Sequence, residues 1–284
     1  MKQFASYIST FRQQHSAHLS HLPSLEEAYG SICAICATLR VGDSPQLKYL
    51  IKKIQCRYLL EQLVQVNKAV LESAKGGNFT VVEALSRIAI EHAVNIIYVA
   101  EDEAHARAQS LLHHHVDGCH SRATAWKKYA VESGDEEALS IADRKIEQLN
   151  GFAFHSQSTV GSVDKWPSAR KRFKAIGFEN LYHVLFASSS DSIHSLSEDI
   201  FNLTVIDSMP EALRKECYDG LLAEKSSFAI YLAINAILFF CQASLTIASI
   251  VTDGDEVARL KDVAKIIQGL LAEHEVLSKH YRES

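Results

Sequence analysis

Twelve Gly and four Pro are all the helix breakers carried by a chain of 284 residues, about half of ordinary usage. Those two residue types punctuate sheets and tight turns, so their scarcity excludes a many-turned β-sandwich or barrel. A disordered chain is excluded as well. Fully 47% of the residues are hydrophobic and the formal net charge is only −5, which leaves ample apolar surface to bury. Long helices with few interruptions remain. The order of residues agrees, since apolar positions recur at steps of three and four almost throughout, the period of a helix with one buried face. The expected fold class is all-α, a bundle of about ten helices with negligible strand. The break Lys75–Asn78 divides it into an N-terminal helical hairpin extension over 1–75 and a main helical domain over 76–284.

The spacing predicts helices over 2–19, 24–40, 45–75, 79–101, 103–132, 135–149, 167–175, 178–194, 209–223, 225–252 and 254–280. Cap chemistry supports several starts. Ser24 precedes Glu26 and Glu27, Pro45 follows Asp43-Ser44, and Ser133-Gly134-Asp135 separates one helix from an acidic first turn, as expected of N-caps, first-turn prolines and acids at the positive helix end. Residues 150–165 read as the longest loop, and Phe201–Met209 as a second weak stretch.

A balance of 29 basic against 34 acidic residues exerts no global pull toward nucleic acid. Cys33, Cys36, Cys56, Cys119, Cys217 and Cys241 are too sparse for a disulfide scaffold and fit buried reduced thiols in a cytoplasmic protein. The N-terminus has no apolar run of signal-peptide length. The uncharged stretch Phe228–Val251 is long enough to span a bilayer. It also contains Asn235, Gln242, Ser244, Thr246 and Ser249 and lacks a flanking basic cluster. A buried core helix is the expectation, and a membrane is not expected as a partner.

Two helices carry the features that point to a site. On the first, Glu83, Arg87 and Glu91 fall at i, i+4 and i+8 among Val82, Leu85, Ile88, Ile90 and Val94. Charges on so apolar a helix lie at or near the core and must be paired. On the second, Tyr182, Phe186, Ser190 and His194 recur at steps of four. Ser190 and His194 are thus one turn apart, within reach of a hydrogen bond, but no nucleophile elbow accompanies them. The expectation is a polar site of Arg87, Glu91, Tyr182, Ser190 and His194 that binds a ligand or a partner, with no cofactor.

The stretch LSRIAIEHAVNIIYVAED, followed by Trp166 and RKRFKAIGFENLYHVLFASSSDSIH, resembles a bacterial family of unknown function, number 5677. The matching positions are Arg87, Glu91, Trp166, Tyr182, Ser190 and His194, and the likeness covers roughly residues 50–250. This chain departs from the pattern with Phe186 where an aromatic hydroxyl is usual, and with His92 beside Glu91. The resemblance implies an all-α, bacterial, cytosolic protein, by analogy associated with stress or phage defence, and supplies no substrate. Arg87 and His92 are also similar to the Arg-x4-His signature of the HEPN superfamily. That second resemblance implies a metal-independent endoribonuclease acting on RNA or a nucleotide across a homodimer interface, with Arg87, His92 and Glu91 as the catalytic set. A His can take the 2′-hydroxyl proton and an Arg can hold the charge developing on phosphate, but positions i and i+5 lie about 140° apart around a helix.

Two further groups read as surface. His105, His113, His114, His115, Cys119 and His120 share one helix without any fixed zinc spacing, and Cys33-x2-Cys36 lacks a second pair, so no metal site is expected. Lys165, Trp166, Arg170, Lys171, Arg172 and Lys174 form a basic run with interleaved aromatics. It is either a solvated face or a nucleic-acid-binding surface.

Overall fold

The computed structural model describes residues 2–41, 50–160, 163–187, 197–252 and 254–279. Among them the elements are α1 (Lys2–Ala17), a 3₁₀ turn (His18–His21), α2 (Leu22–Thr38), α3 (Leu50–Lys75), α4 (Phe79–Ala100), α5 (Ala106–Ser133), α6 (Glu136–Val160) and α7 (Ala169–Ala175). A single turn, Glu179–Leu181, then widens into π-helical Tyr182–Ala187, followed by α8 (Ser197–Ser208), α9 (Glu211–Val251) and α10 (Asp255–Lys279). No strand occurs among the described residues. The all-α expectation is met.

The uncharged run of the sequence is the C-terminal part of α9, and the helix is buried all round within it. Leu232, Ala233, Ile234, Asn235, Ala236 and Ile237 are consecutive and all inside, which only a central helix permits. Its polar residues cost little because they bond their own helix. Asn235 Nδ2 donates to the Tyr231 carbonyl at 2.8 Å, Ser244 Oγ to Phe240 at 2.8 Å and Thr246 Oγ1 to Gln242 at 2.9 Å. By length and composition α9 could cross a membrane; in this bundle α4, α1 and α10 pack along it. One continuous core joins Leu25 and Ile32 of α2, Leu63 of α3, Ile90 of α4, Phe240 of α9 and Leu260 of α10. Helix α3 lies against α4, so α2 and α3 share that core. By contrast α6 packs chiefly on α5, forming a hairpin at the side of the bundle.

Several boundaries differ from expectation. The predicted break at Glu224 does not occur. Ala223, Ser226 and Ser227 on either side are buried, and Lys225 pairs with Asp199 of α8, so a single 41-residue helix replaces two. Helix α6 runs on to Val160 through Asn150-Gly151, where a loop was expected. The weak stretch Phe201–Met209 is largely α8. Helix α2 begins at Leu22 with Pro23 in its first turn, so Ser24 is not its cap. Other punctuation is as read. Gly134 takes φ 69° after α5, and Asp135 Oδ1 accepts the Ala138 N–H at 2.9 Å, the N-cap bond. Asp43-Ser44-Pro45 lies outside the described residues.

Candidate functional site

Helix α4 presents Glu83, Arg87 and Glu91 on one stripe, and α7 and the π-helical turn pack against this helix. The partner of Glu91 is not Arg87. Arg172 Nη2 of α7 donates to Glu91 Oε1 at 2.8 Å, with the arginine side chain 5% and the glutamate 34% exposed. Arg172 Nη1 donates to the Pro167 carbonyl at 2.7 Å, and its guanidinium lies 5.0 Å from the Trp166 ring centre. Burial lowers the Arg172 pKa and the Glu91 carboxylate opposes the shift. An arginine starts so high that it stays charged. The seam continues outward. Trp166 meets Tyr98 edge-on at 5.4 Å, and Arg107 lies 4.2 Å over the Tyr98 ring while donating to the Tyr98 carbonyl at 2.8 Å. At the end of α4, buried Lys52 donates to the carbonyls of Ala100, at 2.9 Å, and Asp102, closing acceptors that a helix C-terminus leaves open.

Arg87 occupies a different setting. Its Nε donates to the Phe186 carbonyl at 3.3 Å, and its guanidinium sits 4.0 Å over the Phe186 ring. Phe186 stacks on Tyr182 at 5.7 Å and packs on Phe173 at 5.6 Å. The π-helical register explains this wall, because it lets the neighbours Leu185 and Phe186 both point inward. Arg87 is half-buried, and among the described residues no carboxylate reaches ion-pair distance of it. Glu83, one turn earlier, is buried. Ser190 and His194 lie outside the described residues, so of the expected site Arg87, Glu91 and Tyr182 are placed. Tyr182 joins through Phe186 rather than by a hydrogen bond to Arg87. His92 is half-buried, with burial lowering its pKa against the pull of Glu91, and Arg87 points to Phe186 rather than to it.

The basic run is not uniformly solvated. Arg172 faces inward to Glu91. Arg170 donates to Glu179 Oε1 from Nε at 3.1 Å and Nη2 at 3.0 Å, and Lys174 lies 3.8 Å from the same carboxylate. Trp166 packs against the core, while Lys165 and Lys171 are exposed. No local signal singles out Arg172, since Lys174 flanks Phe173, the side chain that anchors α7 in the core, just as closely. On α5, His115 Nε2 lies 3.4 Å from Cys119 Sγ, and no group of three metal-ligating side chains assembles among the described residues. Cys36 donates to Ser244 Oγ at 3.2 Å, and burial pushes its thiol up to about 11, which keeps it protonated and unreactive.

The fold and this seam define a class: an all-α bundle in which α4, packed along the central helix α9, carries an Arg-x3-Glu stripe whose Glu91 is answered by Arg172 of α7 beside Trp166. The family described as a family of unknown function (DUF5677) matches residues 54–210, more than half of the chain, and the chain belongs to it. No curated protein and no solved structure matches.

Proposed function

We propose that this chain is a bacterial, cytosolic helical binding module, associated with stress or phage defence, whose ligand or partner presents an anionic group to Arg87. The observation that supports this is the contrast between two neighbouring arginines. Arg172 is neutralised by Glu91 at 2.8 Å, whereas Arg87 is held by an aromatic ring and a single carbonyl. A half-buried guanidinium so held keeps its outer N–H donors for a phosphate or carboxylate, which it binds as a planar fork. The surrounding pair Glu91–Arg172 positions the helix stripe and is not itself the ligand contact. Calorimetric titration with inorganic phosphate, a mononucleotide and a short RNA tests the reading. Binding that Arg87→Ala weakens at least about tenfold, near 1.4 kcal/mol, while the variant stays folded with a small loss of melting temperature from its contacts to Phe186, is expected. No binding of any of the three, or binding indifferent to Arg87, overturns it. The defence association rests on the resemblance of the family alone.

A second reading is a metal-independent endoribonuclease using Arg87 and His92. It is favoured by one observation, the buried His92 Nδ1 that no hydrogen-bond partner meets among the described residues, a ring nitrogen left to take a proton. RNA cleavage in the presence of a chelator, abolished by His92→Ala, would select it over simple binding.

A further inference from the structure

His15 at the end of α1 and His18 and His21 in the 3₁₀ turn follow one another at steps of three. The bundle brings a fourth histidine to them from the other end of the chain, His274 of α10. His18, His21 and His274 are 1%, 5% and 3% exposed. The rings of His18 and His274 stack with 3.7 Å between centroids and 18° between planes. His15 meets His18 edge-on at 6.0 Å, and His21 lies 5.9 Å from His18 and 5.7 Å from His274. Helix α9 closes the cluster. Ser227 Oγ is 2.6 Å from His18 Nδ1 and 3.4 Å from His274 Nε2, and the Tyr231 ring is 5.6 Å from that of His274.

Among the described residues, the charged groups near the cluster sit at its margin or pair elsewhere. Glu273 and Glu275 of α10 are exposed; the first acts on His21 and the second on Tyr231. Glu224 of α9 lines an adjoining groove. Arg12 of α1 pairs with Asp219 at 3.1 Å, and Glu26 of α2 pairs with Lys75. The central bond of His18 is to a hydroxyl. Two imidazolium rings cannot stack at 3.7 Å in a buried site, because each would lose its hydration and repel the other. The stack therefore excludes two charged rings, and each further proton on the cluster opposes it.

What the cluster fastens is α1. Phe11 contacts the His15 ring at 4.3 Å. With Tyr7 and Ile8 it walls an apolar groove of about 470 Å³ whose far sides are Val205 of α8 and Leu221 of α9. We propose that the four-histidine cluster is an acid-released latch, which pins α1 to α9 and α10 while its rings are neutral and frees α1, opening the apolar groove, when they gain protons. Burial, reinforced by the neighbouring histidines, holds His18 down to about 4 and His274 to about 3 in the docked state, from an ordinary 6.5. The undocked segment then binds more protons than the docked one below about pH 6.5. Docking is at full strength above that value and weakens progressively as pH falls toward 4.

Hydrogen exchange on the full chain, with rates corrected for the intrinsic effect of pH, tests the latch. Protection over residues 2–21 is expected to fall at least about tenfold between about pH 7.5 and about pH 5, while α4 keeps its protection. In the double variant His18→Phe/His274→Leu, whose two replaced side chains cannot charge, most of the fall is abolished, His15 and His21 keeping the remainder. Unchanged protection over 2–21, a parallel loss in α4, or a fall that persists undiminished in a folded double variant overturns the proposal. Should the variant not fold, carbon-13 histidine spectra of the unaltered chain decide. Titration of His18 and His274 below about pH 5.5, in step with the exposure of 2–21, supports the latch, and titration at the ordinary value with α1 still docked overturns it.

Discussion

At the scale of single residues, the pair Glu91–Arg172 carries an asymmetry that stability measurements can read. Arg172 is nearly sealed from water while Glu91 keeps a third of its side-chain surface. Glu91→Ala strands a buried guanidinium, and Arg172→Met leaves a carboxylate that can turn to solvent. The first is expected to cost about 2–3 kcal/mol, toward the lower end of values for a broken buried pair because of the exposure of Glu91. The second is expected to cost less. Urea midpoints for the two variants check this, and equal losses or the reverse order would contradict the assigned geometry. The stripe of Arg87 and Glu91 was legible in the sequence, because two charges at i and i+4 amid apolar residues have to answer to something. The partner was not legible. Arg172 sits in a run of five basic or aromatic residues, and only the packing of Phe173 into the core decides which of its neighbours turns inward.

At the scale of elements, the breaks that held are those with a backbone reason. Gly134 at φ 69° ends α5, a conformation that costs an L-residue about 1 kcal/mol. Those that failed, at Glu224 and at Asn150-Gly151, rested on charge or composition, which the exposed face of a helix tolerates. Two glycines make this testable. Gly134→Ala is expected to lower stability by about 1 kcal/mol. Gly220 lies within α9, and an added Cβ would meet Ile8 Cγ2 at 3.5 Å and Phe11 Cδ1 at 3.8 Å, ordinary contact distances. Gly220→Ala is therefore expected to raise stability by about 0.5–1 kcal/mol through helix propensity. Thermal melts of the two variants should move in opposite directions.

At the scale of the whole molecule, a core continuous from α2 to α10 is expected to unfold as a unit, and the α5–α6 hairpin, with α6 held mainly by α5, to open more easily. Ile237 is fully buried in the middle of α9. Ile237→Ala is expected to cost about 3 kcal/mol and to lower the exchange protection of α4, α9 and α10 by the same factor, with α6 little affected. Unequal losses among the three core helices would show that they are separable.

The sequence by itself determined the class of fold, the central helix and the α4 stripe, because scarce Gly and Pro and a three-to-four residue period act locally and need no partner to be read. Only the tertiary structure decided which charges met. His15, His18 and His21 already shared one spacing, yet nothing along the chain announced His274, 253 residues beyond His21. Glu91 likewise found Arg172 across 81 residues. Such pairings arise from how α1, α7 and α10 settle on α4 and α9, and burial then turns their proximity into pairing or mutual neutrality.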